Sequence, residues 1–374
     1  MPRRAGFFDR STAGGAASSR LLVSFTLAIA VTFIVALVRG SFRDPVDSER
    51  PSTTHADRPI LSPPIPHELL FCTWNVENFY DDRDDPAIAD QDENLFAADP
   101  DLVARKIDLL GATLAAQNEG RGPDVIVLVE VESRRCVQLL AAALNRRIRQ
   151  ADPYQFIIFH EHHLDRGLAP AILSRFKLSA DSRLQAAFGE RRIVAAKIIA
   201  DDHPLTILAC HWTSRITDKT GRKREAYADL IYRAVNRLLN TDPNADVLIA
   251  GDFNDESNDP SVRVHLHASG DLDRSAARDP RPVLFDLAAR IDHRRIGTYH
   301  YGGQWETLDH IVVSPGMLDR IGWSVDPDSI AVFAPRANRK GRAGTPKRFG
   351  SPRGDHPRGP SDHFPLTVRL IHNQ

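Results

Sequence analysis

The chain has 374 residues, 42% of them hydrophobic, enough for one large domain or two ordinary ones with a sizeable core. Its formal net charge of -1 gives no overall field that favours nucleic acid or a membrane surface. The 3 cysteines, Cys72, Cys136 and Cys210, are odd in number, which excludes a fully paired disulfide framework, and without a Cys-x-x-Cys spacing neither a zinc ribbon nor thioredoxin-type chemistry is suggested.

The first segment with a physical signature is Leu21 to Val38, "LLVSFTLAIAVTFIVALV", which carries no charge and has about the length a bilayer requires. A buried core helix is disfavoured, because the run has no polar face. Arg3, Arg4, Arg10 and Arg20 precede it, whereas Arg39 and Arg43 are accompanied by Asp44, Asp47 and Glu49. The Lys/Arg bias therefore predicts a cytoplasmic tail over 1–20, an uncleaved transmembrane signal-anchor over 21–38 and a single-pass protein with its C-terminal part outside the cytoplasm. A cleaved signal peptide is the rival reading, but no small-x-small site follows the run, which ends "VRGSF". Residues 39–66, rich in Pro, Ser, Thr and charge, read as a linker to a domain over 67–372.

Within that domain short apolar runs alternate with helical patterns. "LLFCTW" is a strand; Asp99 to Gln117 is an amphipathic helix with Leu102, Val103, Ile107, Leu110 and Leu114 on one side. "DVIVLVE" is a buried strand, followed by a helix over about Glu132 to Arg149. "YQFIIFH", "LAPAILS", "RIVAAKII" and "LTILACHW" are further strands, Arg222 to Leu239 is helical, and "ADVLIAGDFND", "TLDHIVVS" and "FPLTVRL" complete the strands. Cys72 and Cys210 lie inside such runs and read as small buried hydrophobes. From Pro335 to Pro360 the basic residues Arg336, Arg339, Lys340, Arg342, Lys347, Arg348, Arg353 and Arg358 are opposed only by Asp355. That stretch, rich in Gly and Pro, reads as a long exposed loop, either simply solvated or in contact with phosphates.

The polar residues fall where the apolar strands stop. "FCTW" ends at Asn75 and Glu77, "DVIVLV" at Glu130, "TILAC" at His211 and "VLIAG" at Asp252 with Asn254 beyond; Asp309 and His310 open "IVVS", and Asp362 and His363 stand before the last strand. One such residue is an ordinary strand cap, but strand ends converging on one rim are where open α/β folds place their sites. Carboxylates and an Asn from separate strands make a hard, oxygen-rich pocket suited to Mg²⁺ or Mn²⁺. An EF-hand reading of "GDFNDESND" fails, because Ser257 and Arg263 stand where the template needs Gly and Glu. His310 runs into an apolar strand and reads as structural; Trp305 either lines the cleft or packs.

"TWNVENFY", "VIVLVEVE", "CHWTSR", "IAGDFND", "TLDHIVVS" and "SDHFP" occur in an order that resembles the endonuclease/exonuclease/phosphatase superfamily, over about Glu68 to Leu370. The resemblance implies an α+β fold, a four-layer αββα sandwich of two packed mixed β-sheets flanked by helices, and hydrolysis of a phosphoester with Mg²⁺ or Mn²⁺. It makes Glu130 the principal metal ligand, with Asn75 and Asp362 on the metal side. Asp252 and Asn254 resemble the pair that orients the attacking water and a phosphate oxygen. His363 resembles the active-site histidine, Asp309 its orienting carboxylate and His211 a second histidine donating to phosphate. Glu77, Arg166 and Arg215 are candidate substrate-side residues. No motif marks abasic-site, sphingomyelin or inositol recognition. The leading expectation is thus a membrane-anchored monomeric phosphodiesterase, a nuclease in the first place, acting outside the cytoplasm. The alternatives are a phospholipid head-group or sugar or inositol phosphate hydrolase, and an inactive binding module on the same fold.

Overall fold

Residue alternation along the strands sets the architecture, because successive side chains leave a strand on opposite faces. In the computed structural model, which describes residues 62–88, 90–148, 152–161, 166–180, 186–188, 191–277, 279–353 and 356–373, the strands and helices run in this order. β1 (Glu68–Phe79), α1 (Gln91–Ala98), α2 (Pro100–Ala115), β2 (Val125–Val131), α3 (Arg134–Arg147), β3 (Phe156–Phe159), β4 (Ala169–Ser174), β5 (Ser179–Ala180), β6 (Ala186–Phe188), β7 (Arg191–Ala200) and β8 (His203–His211) come first. α4 (Arg222–Thr241), β9 (Asp246–Asp252), β10 (Ala268–Ser269), α5 (Leu272–Ala276), β11 (Leu284–Asp286), β12 (Tyr299–Tyr301), β13 (Gln304–Glu306), β14 (Asp309–Val313), β15 (Trp323–Val332), β16 (Arg339–Lys340), β17 (Thr345–Pro346) and β18 (Leu366–His372) follow.

Two mixed sheets result, ordered β15-β18-β1-β2-β4-β3 and β10-β11-β14-β9-β8-β7-β5, with β6 paired to β7. Leu69, Phe71, Val125, Val127 and Val129 of the first sheet meet Val194, Ile207, Leu248, Ala250 and Ile311 of the second in one buried core. The alternate residues face outward: Cys72, Trp74, Ile126 and Leu128 pack on Leu110, Leu114, Val137 and Leu140 of α2 and α3. On the other side Ile193, Leu208 and Ile249 pack on Tyr227, Ile231 and Val235 of α4. The expected α+β sandwich, with helices on both outer faces, is therefore the one formed. The helices expected at Asp99–Gln117, Glu132–Arg149 and Arg222–Leu239 correspond to α2, α3 and α4. Asp99 and Ser133 cap the first two by accepting backbone N–H bonds, which sets their starts one or two residues inside the expected limits. All 3 cysteines are buried and free.

The basic stretch over 335–360 differs from the exposed loop expected. It contains the β16–β17 ladder, and Phe349 and Arg358 are buried. The proposed anchor over 21–38 and most of the linker over 39–66 lie outside the described residues. Among the described residues no helix is long and apolar enough to cross a membrane.

Strand direction gathers one rim. β1 and β2 are parallel, as are β8 and β9, so each pair ends at the same edge. β14 and β18 run antiparallel to β9 and β1, so their N-terminal ends arrive at that edge; Asp309 is registered opposite Asp252, and His211 opposite Asp252 on the other flank. The β8–β9 contact leaves no room for a side chain beside Asp252. Gly251 has φ +144°, and a Cβ there would lie 1.8 Å from the Cys210 carbonyl oxygen. Gly251→Ala is expected to destabilise the protein by about 3 kcal/mol or more, measured as a fall in the chemical-denaturation midpoint; wild-type stability in that variant would contradict the assigned close approach.

Candidate active site

The first half of the rim comes from a bulge. β1 and β2 are in register at Asn75 and Val129, and register resumes at Phe79 and Val131, so more residues of β1 than of β2 occupy the gap. Glu77, Asn78 and Glu130 accordingly adopt left-handed backbone, with φ of 52°, 54° and 66°. Such conformations cost on the order of 1 kcal/mol or more for residues with a Cβ and persist where surrounding contacts hold them. Here the Glu130 carboxylate is what they position: Asn78 N donates to its Oε2 at 2.9 Å and Asn75 Nδ2 to its Oε1 at 3.0 Å.

Asn75 also crosses to the second sheet, where its Nδ2 donates to Asp252 Oδ2 at 3.0 Å. Its Oδ1 accepts from Glu77 N. The assigned amide therefore turns donors toward both carboxylates, so Asn75 ties Glu130 to Asp252 rather than presenting the metal-side oxygen expected. Asp252 Oδ1 accepts from Asn254 N at 2.7 Å, and Asn254, itself at φ 54°, donates from Nδ2 to Trp212 O at 3.1 Å. His211 Nε2 lies 3.8 Å from both Glu130 Oε1 and Asp252 Oδ2. Burial pushes the Asp252 carboxyl up to about 7.

His363 enters from the other side of the sandwich seam. Its Nδ1 is 2.7 Å from Asp309 Oδ2 and its Nε2 is 3.9 Å from Asp252 Oδ2. Burial opposes its charge, but the Asp309 charge and hydrogen bond outweigh burial and raise the imidazole to about 10, so it is protonated at neutral pH. Its backbone is fixed by Ser361, whose Oγ accepts from His363 N and donates to Asn75 O, and by Trp74, whose Nε1 donates to His363 O. The ring packs against Tyr299, 4.7 Å between centroids. Asp362 is raised to about 6 by burial and by the neighbouring Glu77 charge, and its Oδ2 accepts from Arg348 at 3.1 Å.

The three residues expected on the substrate side have other partners. Both Glu77 oxygens are engaged by the basic stretch: Arg348 Nε and Gly350 N donate to Oε1, Phe349 N to Oε2. Glu77 therefore anchors that loop. Arg215 donates to Asn254 O, Glu306 and Asp259, which makes it the clamp of the Asn254 loop. Arg166 pairs with Asp90 and donates to Asn78 Oδ1, so it buttresses the bulge under Glu130. His310 is structural as expected, held between Asp286 and Asp255 O. Trp305 packs on His300 and Phe364.

Lys106, Ser361 and Tyr299 were missed, and Arg348 was named only as one member of the basic run. Lys106 is wholly buried on α2, donates to Glu77 O and Pro360 O, and lies 4.5 Å over the Phe349 ring; burial lowers it to about 8. Its sequence signal was a charge inside the apolar stripe Leu102, Val103, Leu110.

Glu130 and Asp362 fit a divalent ion. Each carboxylate keeps oxygen lone pairs beyond its hydrogen bonds, and Mg²⁺ is commonly held by one or two carboxylates with water completing its shell. Among the described residues one trio, Asp81, Glu132 and Cys136, lies just beyond the bulge with ligand atoms within 4.8 Å of one another. It is cross-linked by Asp81 N to Glu132 and Ser133 Oγ to Asp81, and serves the start of α3.

A sequence profile described as the endonuclease/exonuclease/phosphatase family matches residues 71–372. Among solved structures, an endonuclease/exonuclease/phosphatase family protein from Bacteroides thetaiotaomicron is 16% identical with a TM-score of 0.51, covering 83% of this chain and 99% of its own. A mannosyl-6-phosphatase from the same species, Bt3783, is 16% identical with a TM-score of 0.50, covering 81% and 99%. Truncated TDP2 from Caenorhabditis elegans is 15% identical with a TM-score of 0.47, covering 81% and 97%. No curated protein matches.

The His363–Asp309 pair predicts a pH dependence. The folded pKa of about 10 lies above the ordinary 6.5, so the pair's contribution is complete below pH 6.5 and is lost as pH rises through about 10. Asp309→Asn is expected to reduce stability by about 3 kcal/mol below pH 6.5, with the difference shrinking toward alkaline pH, and to move the His363 ring titration downward by NMR. A ring pKa unchanged by the substitution would remove Asp309 as its cause.

Proposed function

The chain belongs to the endonuclease/exonuclease/phosphatase family and is a phosphoester hydrolase; from that premise we propose that it hydrolyses a phosphodiester, nucleic acid in the first place, with Mg²⁺ or Mn²⁺. The observation that carries the reading is Asn75 joining Glu130 and Asp252 across the two sheets, with His363, held by Asp309, beside Asp252.

A phosphodiester resists attack because its charge repels the nucleophile and must be neutralised as it grows. Glu130 and Asp362 would hold the divalent ion, which supplies that neutralisation when bound. Asp252, raised to about 7 by burial, is matched to accept the proton of an attacking water near neutral pH. Asn254, fixed by its own N–H to Asp252, orients the same water and a phosphate oxygen. His363, a cation held by Asp309, donates to phosphate and stabilises the developing charge, with His211 on the opposite flank. His363 thus acts as the positive donor, and Asp252 as the base.

The preference for nucleic acid rests on the basic run over 335–360, which reaches the site at Arg348. The anchor reading of residues 21–38 is supported by their apolar length and the flanking arginines, and on that reading the reaction would run outside the cytoplasm.

The purified full chain is expected to nick plasmid DNA or degrade single strands with Mg²⁺ or Mn²⁺, to stop with chelator, and to lose about a hundredfold or more of its rate as Glu130→Gln or His363→Ala. Sphingomyelin, inositol phosphates and sugar phosphates run in parallel; turnover of these alone would move the function to head-group or phosphate release. Full activity of either variant would defeat the mechanism.

A further inference from the structure

We propose that Arg348 is the phosphate-reading residue of this site. The proposal rests on the phosphoester hydrolase reading above and adds a residue that the site motifs do not contain.

Arg348 is positioned from below and open above. The residue after it, Phe349, is 1% exposed and stacks on Phe96 at 5.7 Å between centroids. Lys106 and Arg358 lie over the Phe349 ring at 4.5 and 4.8 Å, and Arg358 also donates to Phe349 O. Arg348 O accepts from Gly359 N, and Gly359 has no room for a side chain, since a Cβ would lie 1.7 Å from Lys347 O. The backbone around Arg348 is thus locked to the segment that carries Asp362 and His363.

The guanidinium above that anchor donates from Nε to Glu77 Oε1 and from Nη2 to Asp362 Oδ2, both at 3.1 Å, while its side chain stays 56% exposed. These two bonds use one edge of the fork and leave the remaining N–H donors facing solvent at the mouth. A planar fork with free donors at the mouth, held by Glu77 and Asp362 on its other edge, is the geometry that takes two phosphate oxygens together. The other arginines near the rim are committed elsewhere: Arg215 to Glu306, Asp259 and Asn254 O, and Arg166 to Asp90 and Asn78. Arg348 also balances Asp362, a carboxylate that the metal reading assigns to the ion. Removal of Arg348 therefore has opposite effects on two ligands: it weakens phosphate binding and strengthens divalent cation binding, because a competing positive charge at Asp362 is gone. A residue needed only for folding would weaken both.

The test compares the full-length wild type with Arg348→Gln and Arg348→Lys. Inorganic phosphate binding is followed by ³¹P NMR, Mn²⁺ binding by electron paramagnetic resonance, and KM and kcat on bis(4-nitrophenyl) phosphate. Arg348→Gln is expected to weaken phosphate binding and raise KM by about tenfold or more, and to bind Mn²⁺ more tightly. Arg348→Lys should recover part of the phosphate affinity. Unchanged phosphate affinity in Arg348→Gln, or a loss accompanied by weaker Mn²⁺ binding, would overturn the inference while wild-type turnover keeps the hydrolase reading. Conversely, an Arg348-dependent phosphate site in a wild type that turns over no ester would uphold the inference and reject that reading.

Discussion

Repulsion among buried carboxylates is the constraint this structure has to satisfy. Glu77, Glu130, Asp252, Asp309 and Asp362 gather at one rim, and Asp252 and Asp309 are almost wholly buried. Like charges brought out of water raise one another's proton affinity, so each requires a specific partner. Asp309 has the His363 imidazole, Glu77 has two backbone N–H groups and Arg348, Glu130 has the Asn75 and Asn78 donors, and Asp252, raised by burial to about 7, has the Asn75 amide and the Asn254 N–H. Buried Lys106 adds a positive charge beneath the rim, although burial lowers it to about 8. An arrangement so rich in acid oxygens suits a function that brings in positive charge and then a phosphate.

The same requirement explains the backbone strain. A regular β1–β2 ladder would direct Glu130 by simple alternation, with Asn78 N consumed by the sheet. The bulge frees that N–H for the carboxylate and turns Glu77 away toward the basic loop. Arg166 and Asp90 brace the distorted turn from outside. Asn254 repeats the solution on the second sheet, with left-handed backbone, an N–H given to Asp252, and Arg215 bracing the following residues through Asp259 and Glu306. Both halves of the rim thus use an off-ladder N–H to aim an acid and an arginine to hold the distortion.

What was legible in the sequence follows from these distinctions. Apolar alternation exposed the main strands and the three long helices, and polar residues at strand ends exposed Glu130, Asp252, Asp309 and His363 before any pairing was known. Partnership was not legible. Arg215 and Glu77 carry the charges of substrate contacts, but their carboxylate and backbone partners are distant in sequence, with Glu77 bonding Phe349 across 272 residues. Asn75 was placed on the metal side by the resemblance alone, whereas its bonds to Glu130 and Asp252 depend on neighbours from two sheets. The basic run looked like an exposed loop because one buried aromatic, Phe349, carries no periodic signal, yet that residue pins the segment. Short pairings such as β16–β17 are likewise below the length at which alternation can be seen.

Chain order adds a last consequence. β18 lies between β15 and β1, so the final strand is interior to its sheet rather than appended to an edge. Asp362 and His363 immediately precede it, and Trp74 and Asn75 at the other end of the domain supply the bonds that fix His363 and Ser361. Neither half of the rim can hold its geometry alone: without the C-terminal segment, Asn75 O loses its Ser361 partner and Glu77 loses Arg348, Phe349 and Gly350. Insertion of β18 therefore both completes the first sheet and delivers the counter-charges that let the carboxylates stand together. The acid cluster assembles only when the first and last strands of the domain have paired, so the stability of the sheet and the assembly of the cluster are one cooperative event rather than two.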